Sequence, residues 1–308
     1  MQALQAHQHI RDVNTRYHDV AAATYDEKWG IDFGEVGQGQ VLGKVRKLLT
    51  PGQTGPFQHA LEIGAGTGYF SLNLMRSGLI EELTCTDVSG GMLEVLAGNA
   101  RRLELEPVTT VQADAESLPF PDASFDLVIG HAVLHHLPDL ERAFGEFQRV
   151  LRPGGRILFA GEPSLLGDRI ARAPKRAALL AAPLWRRALR LRAAAPHQHE
   201  AGHEGDLALE GEVDIHAFRP ADLERLAASA GFNDVTVRGE ELLANWFGWF
   251  NRGLEATAQP ETIPTWWRRY AFHGYLLLQR LDSRALEPRL PPDVFYNLLL
   301  SARSARDS

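Results

Sequence analysis

The stretch Leu61-Glu-Ile-Gly-Ala-Gly-Thr-Gly-Tyr-Phe70 constrains this chain more than any other. An apolar run ends in three glycines at alternate positions, Gly64, Gly66 and Gly68. The run reads as a strand, and the glycines as a tight turn into a helix. Backbone without side chains lets a ligand approach closely there. Two ligand chemistries fit: a dinucleotide on a helix N-terminus, or a nucleoside cofactor such as S-adenosylmethionine. Asp87 ends the next apolar run, about 20 residues on, where a carboxylate can accept from both ribose hydroxyls. A nicotinamide-binding domain would show the same acid, so both chemistries stay open on these residues alone.

The surrounding pattern alternates in the βαβ manner. Strands are expected at His59–Ile63, Glu82–Thr86, Val108–Gln112, Phe125–Ile129 and Arg156–Phe159. Helices are expected at Tyr69–Ser77, Gly91–Leu103 and Leu140–Val150. The expected architecture is α/β: a parallel sheet with helices on both faces. Further on, Arg219–Phe232 reads as a helix with a glycine stop, Asp234–Arg238 and Tyr275–Gln279 as late strands, and Val294–Leu300 as an apolar helix.

Between these lies a change of character. From Arg169 to Arg192 there are seven arginines, one lysine and no acid; from Glu200 to Asp214 there are six acids and no lysine or arginine. Residues 163–215 read as a lid inserted after the fifth strand, with Pro174 and Pro183 expected to break any long helix. The expected division is a helical cap over 1–56, a core over 57–162 and 216–280, the lid, and a tail over 281–308. The arginine-rich stretch is either a solvated face paired with the acidic one or an amphipathic surface for anionic lipid.

The chain of 308 residues carries a formal charge of −7, so its overall charge makes no case for nucleic acid or an anionic membrane. Its single cysteine, Cys85, excludes an intrachain disulfide and a thiolate metal cluster. Tandem His135-His136 lacks partners at a zinc spacing, so no metal is expected. The first residues show no basic and apolar leader pattern, and no apolar run reaches the ~18 residues of a membrane span. The expected setting is cytoplasmic, as a monomer or homodimer, with peripheral membrane contact through 169–192 only on the lipid-facing reading of that stretch.

Four motifs then follow in order: Ala113-Asp114-Ala115, Leu118-Pro-Phe-Pro-Asp-Ala-Ser-Phe-Asp-Leu-Val-Ile129, Leu134-His-His-Leu-Pro-Asp139 and Leu151-Arg-Pro-Gly-Gly-Arg-Ile-Leu158. With the glycine loop, they make the chain resemble the class I S-adenosylmethionine-dependent methyltransferases. The closer resemblance is to the type 11 subgroup, which includes ubiquinone- and menaquinone-pathway enzymes. It covers roughly 57–160 and, more loosely, 217–280.

The resemblance implies a Rossmann-like three-layer sandwich whose seven-stranded, mostly parallel sheet has an antiparallel last strand, with the helical lid added. It implies S-adenosylmethionine as cofactor and S-adenosylhomocysteine as product. Gly64, Ala65, Gly66 and Gly68 would lie under the methionyl part, with Glu62 orienting that loop or the ammonium group. Asp87 would take the ribose diol, Val88 and Met92 the adenine pocket, and Asp114 and Ala115 the adenine edge. Tyr17 and Tyr25 belong to the cap, with Tyr25 the preferred contact. His131 would line the donor–acceptor junction or serve as base, and His216 would reach the acceptor side from the lid. The tryptophans at 246, 249, 266 and 267 add a bias toward an apolar or amphiphilic acceptor. An RNA or protein methyltransferase, a nicotinamide oxidoreductase and a non-catalytic binding protein are the alternatives.

Overall fold

The computed structural model describes residues 30–49, 55–194 and 216–305, together with residues 10, 13–16, 18, 19, 22, 25 and 26. Tyr17 and the acidic stretch Glu200–Asp214 lie outside the described residues. The elements run α1 (Glu35–Leu48), β1 (Phe57–Ile63), α2 (Tyr69–Arg76), β2 (Ile80–Asp87), α3 (Gly90–Arg102), β3 (Val108–Gln112), β4 (Phe125–His131), α4 (Leu140–Val150) and β5 (Leu151–Pro163). They continue with α5 (Leu165–Leu189), α6 (Pro220–Ser229), β6 (Phe232–Glu240), α7 (Leu243–Glu255), α8 (Thr265–Leu281) and β7 (Asn297–Ser304).

The seven strands form one sheet in the order β3-β2-β1-β4-β5-β7-β6. Strands β1 to β5 pair in parallel, while β7 runs antiparallel to both neighbours. The three-layer architecture with one antiparallel strand is therefore present.

Alternation along each strand divides the core. Ala60, Leu127, Ile129, Leu158 and Leu299 pack on one face with Val41, Val45, Phe70, Leu72 and Leu96 of α1, α2 and α3. Leu61, Ile63, Val128, Ile157, Phe159, Leu298 and Leu300 pack on the other with Phe144, Phe147, Leu223 and Ala227 of α4 and α6. Removing one of the buried phenylalanines would cost about 3–5 kcal/mol.

Three expectations are corrected. Tyr275–Gln279 is not a strand but part of the helix α8, and Val294–Leu300 is not a helix but runs into β7. The last strand thus comes from the segment expected as a tail. Pro174 and Pro183 lie inside one 25-residue helix, α5. Each proline removes one hydrogen bond, and the helix persists because its inner face is packed. Ala178, Ala182 and Trp185 cluster there with Leu254, Ala258 and Ile263.

The chain order of the sheet reverses between β1 and β4. In an open parallel sheet, a crevice opens at the carboxyl ends of the strands flanking such a point. The glycine loop follows β1 and His131 ends β4, so the fold brings both to that crevice. Asp126 at the start of β4 closes the opposite end, where its carboxylate accepts the amides of Gln58 at 2.8 Å and His59 at 3.0 Å.

Candidate cofactor and acceptor site

The glycine loop is built for close approach. Gly64 has φ +58, and a Cβ there would stand 2.3 Å from Val133 Cγ2. Gly66 has φ +50, and a Cβ there would meet nothing within 4 Å. The first glycine is excluded from bearing a side chain by the protein itself. The second faces open space that a ligand can fill.

Asp87 is buried at the end of β2. Its Oδ2 accepts the Gly66 amide at 2.9 Å and its Oδ1 the Ser89 amide at 2.9 Å. Burial raises its pKa, while the nearby His18 and these amides oppose the shift. The amino-terminal segment docks here too: Asp19 Oδ1 accepts from Ser89 Oγ at 2.5 Å and from the Gly91 amide at 3.2 Å.

One cavity is lined by Tyr25, Gly64, Gly66, Asp87, Val88, Asp114, Ala115 and His131. These eight, expected from the sequence, stand together. Five others line no part of it. Glu62 is buried behind the loop, where burial, opposed by hydrogen bonds from Ser71, lifts its carboxyl to about 8. Ala65 donates its amide to Thr86 O at 2.9 Å, and Gly68 caps α2. Met92 is fully buried against Ala22, with Tyr25 and Val95 packed on that pair. His216 bonds Leu137 O through Nε2 at 3.1 Å, one layer behind a cavity residue.

The sequence reading missed Asn14, His18, Thr86, Ala113, Ala132, Val133, His136, Leu137 and Pro138, which complete the lining with Ile63. Those after β4 are held by Glu162. Its Oε1 accepts the amides of Val133 and Leu134, each at 3.0 Å, and its Oε2 meets the His135 amide at 3.2 Å and His135 Nδ1 at 2.8 Å. Burial alone would raise the Glu162 pKa, but these donors hold it low. The single acid of β5, just beyond the apolar run Ile157–Ala160, was the available signal.

His131 packs edge-on against Tyr69, with ring centroids 5.4 Å apart, and beside Phe70. Burial, helped by the positive charge of Lys44, lowers its pKa to about 4. The ring is therefore neutral at pH 7, an acceptor of hydrogen bonds and a weak base. The four late tryptophans line no part of the cavity. Trp249 lies against Tyr296 and under Lys175, while Trp267 packs against Trp185. Among the described residues, no group of three or more His, Cys, Asp or Glu stands close enough to hold a metal ion. Among them too, no helix is long and apolar enough to cross a membrane.

Residues 61–159 match a family model described as a methyltransferase domain. Malonyl-[acyl-carrier protein] O-methyltransferase of Methylococcus capsulatus is 34% identical over 167 residues, covering 49% of this chain and 58% of that protein. The mitochondrial arginine-hydroxylase NDUFAF5 of Rattus norvegicus is 29% identical over 222 residues, covering 72% of this chain and 56% of that protein. The chain spans about half the length of the curated relatives it matches. Among solved structures, phosphoethanolamine N-methyltransferase 2 of Haemonchus contortus, in complex with S-adenosyl-L-methionine, superposes with a TM-score of 0.59 at 17% identity, over 96% of this chain and 60% of that one. That likeness bears on the fold. With the glycine loop, the reversal between β1 and β4 and the matched segment all at one crevice, residues 61–159 carry a methyltransferase domain of the class I S-adenosylmethionine-dependent kind.

Proposed function

We propose that this chain transfers a methyl group from S-adenosylmethionine to a small, bulky acceptor of apolar or amphiphilic character. A polyketide, isoprenoid, quinone-like molecule or lipid, methylated at oxygen, carbon or nitrogen, is the acceptor class. The convergence of Gly64, Gly66, Asp87, Asp114 and His131 on one cavity carries the reading. Open space at Gly66 fits a ligand against the backbone, and Asp87 and Asp114 are acceptors suited to a diol and an amino edge.

The donor supplies a methyl carbon on a sulfonium, whose departure leaves a neutral thioether. The residues then have to hold the acceptor atom in line and keep water out. Ile63, Ala132, Val133, Leu137 and Pro138 give the cavity an apolar wall for that purpose. We assign His131 to the wall, where its neutral ring orients the acceptor.

Calorimetry with S-adenosylmethionine, S-adenosylhomocysteine and NADH tests the cofactor; tighter NADH binding sinks the assignment. A labelled-methyl assay against cell extract tests the acceptor. Label found only in RNA or protein overturns the small-molecule reading. A rate profile with an acid limb near pH 4 that disappears in His131→Gln would make His131 the base instead. The malonyl-[acyl-carrier protein] relatives favour a second reading, an acceptor presented on an acyl carrier protein. Label on a phosphopantetheine-linked acyl group, released by thioesterase, would select it.

A further inference from the structure

The geometry points to the outer face of α5 as a docking surface for an anionic lipid bilayer. This inference goes beyond methyl transfer and does not depend on the acceptor. Arg172, Arg176, Leu180, Leu184 and Arg187 follow one another at spacings of three or four, so they share one face of the helix. All five are exposed. The leucines are extreme: Leu180 is 81% exposed, Leu184 73% and the adjoining Leu179 63%. An apolar centre is thus flanked by cations at both ends, with Arg169 and Arg190 exposed beyond them. Among the described residues only Arg172 of this set has a carboxylate partner, Asp168 at 3.4 Å.

The opposite side of α5 is already used. Ala178, Ala182 and Trp185 are buried against α7 and the segment that follows it. Trp185 also meets Trp267 of α8, with ring centroids 5.2 Å apart. The seam between α5 and α8 continues through Trp267, whose ring centroid lies 5.8 Å from that of Trp266 and 5.4 Å from that of Tyr270. Trp266 is 57% exposed and Tyr270, one turn on, 51% exposed. The seam adds aromatic side chains of the kind that settle at the water–hydrocarbon boundary.

Charge selects the occupant. Exposed leucines flanked along the helix by guanidinium groups match a surface that is apolar below and anionic above. A second copy of this chain would bring arginines against arginines. The chain as a whole carries −7, so it is repelled at long range and needs this local face to bind.

The test uses the full chain with phosphatidylcholine vesicles, with and without phosphatidylglycerol, in flotation assays at low and high salt. Binding is expected only to the anionic vesicles and to weaken with salt. Arg176→Glu with Arg187→Glu should lower it by at least roughly thirtyfold. Leu180→Ser with Leu184→Ser should lower it about tenfold or more. Both variants alter exposed side chains, so circular dichroism, melting and S-adenosylhomocysteine binding should match the parent. Equal binding to neutral vesicles, no vesicle binding, or variants that bind as the parent does would overturn the inference. So would a dimer that the leucine variant dissolves, which would give the face to a second copy. Capture of an acidic acyl carrier protein by this face, without vesicle binding, would give it to a protein partner and equally overturn the lipid assignment.

Discussion

Asp87 Oδ2 accepts the backbone amide of Gly66 at 2.9 Å, so the acid that ends the second strand and the loop that follows the first are one unit. The carboxylate holds the loop and also faces the cavity. Asp87→Ala therefore removes a charged acceptor from the ligand and a tether from the loop. Calorimetry should show S-adenosylhomocysteine binding weakened by roughly 1.5–3 kcal/mol. Unchanged affinity would take Asp87 out of the site.

Two glycines separate packing from ligand space. Gly64→Ala drives a methyl group into Val133 Cγ2 at 2.3 Å and forces a left-handed backbone on alanine. It should destabilise the protein by roughly 2–4 kcal/mol, read from urea melts without ligand. Gly66→Val meets no protein atom within 4 Å at its Cβ, so its cost in stability comes mainly from holding a β-branched residue at positive φ, at least about 1–2 kcal/mol. Its main effect should be on cofactor affinity. Parent-like affinity in Gly66→Val would mean that the space beside it is not the ligand's.

The crevice was legible because its parts lie at strand ends, where the chemistry is local. Gly64 to Gly68, Asp87, Asp114 and His131 each sit within a few residues of an apolar run, and the parallel sheet does the rest. The far side of the sheet was less legible. Asn297–Ser304 is flanked by β5 and β6 and buried on both faces over Leu298–Ala302. A strand buried on both faces shows no period of two, so it reads like a helix. Tyr275–Gln279 has the opposite problem: its short apolar run belongs to a 17-residue helix in which no residue is buried. Asn14 and His18 reach the cavity from a segment with no motif of its own, and only tertiary contact identifies them.

Glu62 makes the protein's stability depend on pH in an unusual direction. Burial lifts its carboxyl from the ordinary 4.5 to about 8, so between those values the folded chain holds a proton that the unfolded chain has released. Stability contributed by this group is full below about pH 4.5 and declines as pH rises toward 8. Glu62→Gln keeps the shape and removes the titration. Urea melts of the ligand-free protein at about pH 5 and pH 8 should differ less in Glu62→Gln than in the parent. An identical difference in both would mean that Glu62 ionises normally in its buried place.

The ion pairs behind His131 titrate with the opposite sign. Lys44 bonds Glu240, and Lys47 bonds Glu240 and Glu287, each at 2.9 Å. Burial alone would raise the Glu240 pKa; Lys44 and Lys47 overcome it and hold the carboxyl at about 2. Lys44 is itself raised, because Glu240 and Glu241 outweigh the desolvation that would lower it. The pair ties α1 to the end of β6 on the side of the sheet that supports His131. The stability due to Glu240 is present above the ordinary 4.5 and is lost as pH falls toward 2. Lys44→Met leaves a buried carboxylate with only the more exposed Lys47, and should cost about 3–5 kcal/mol at neutral pH. Adding Glu240→Leu removes that stranded charge and should recover most of the loss, while erasing the acid limb. A double variant as unstable as Lys44→Met alone would show that lost packing, not the stranded charge of Glu240, sets the cost.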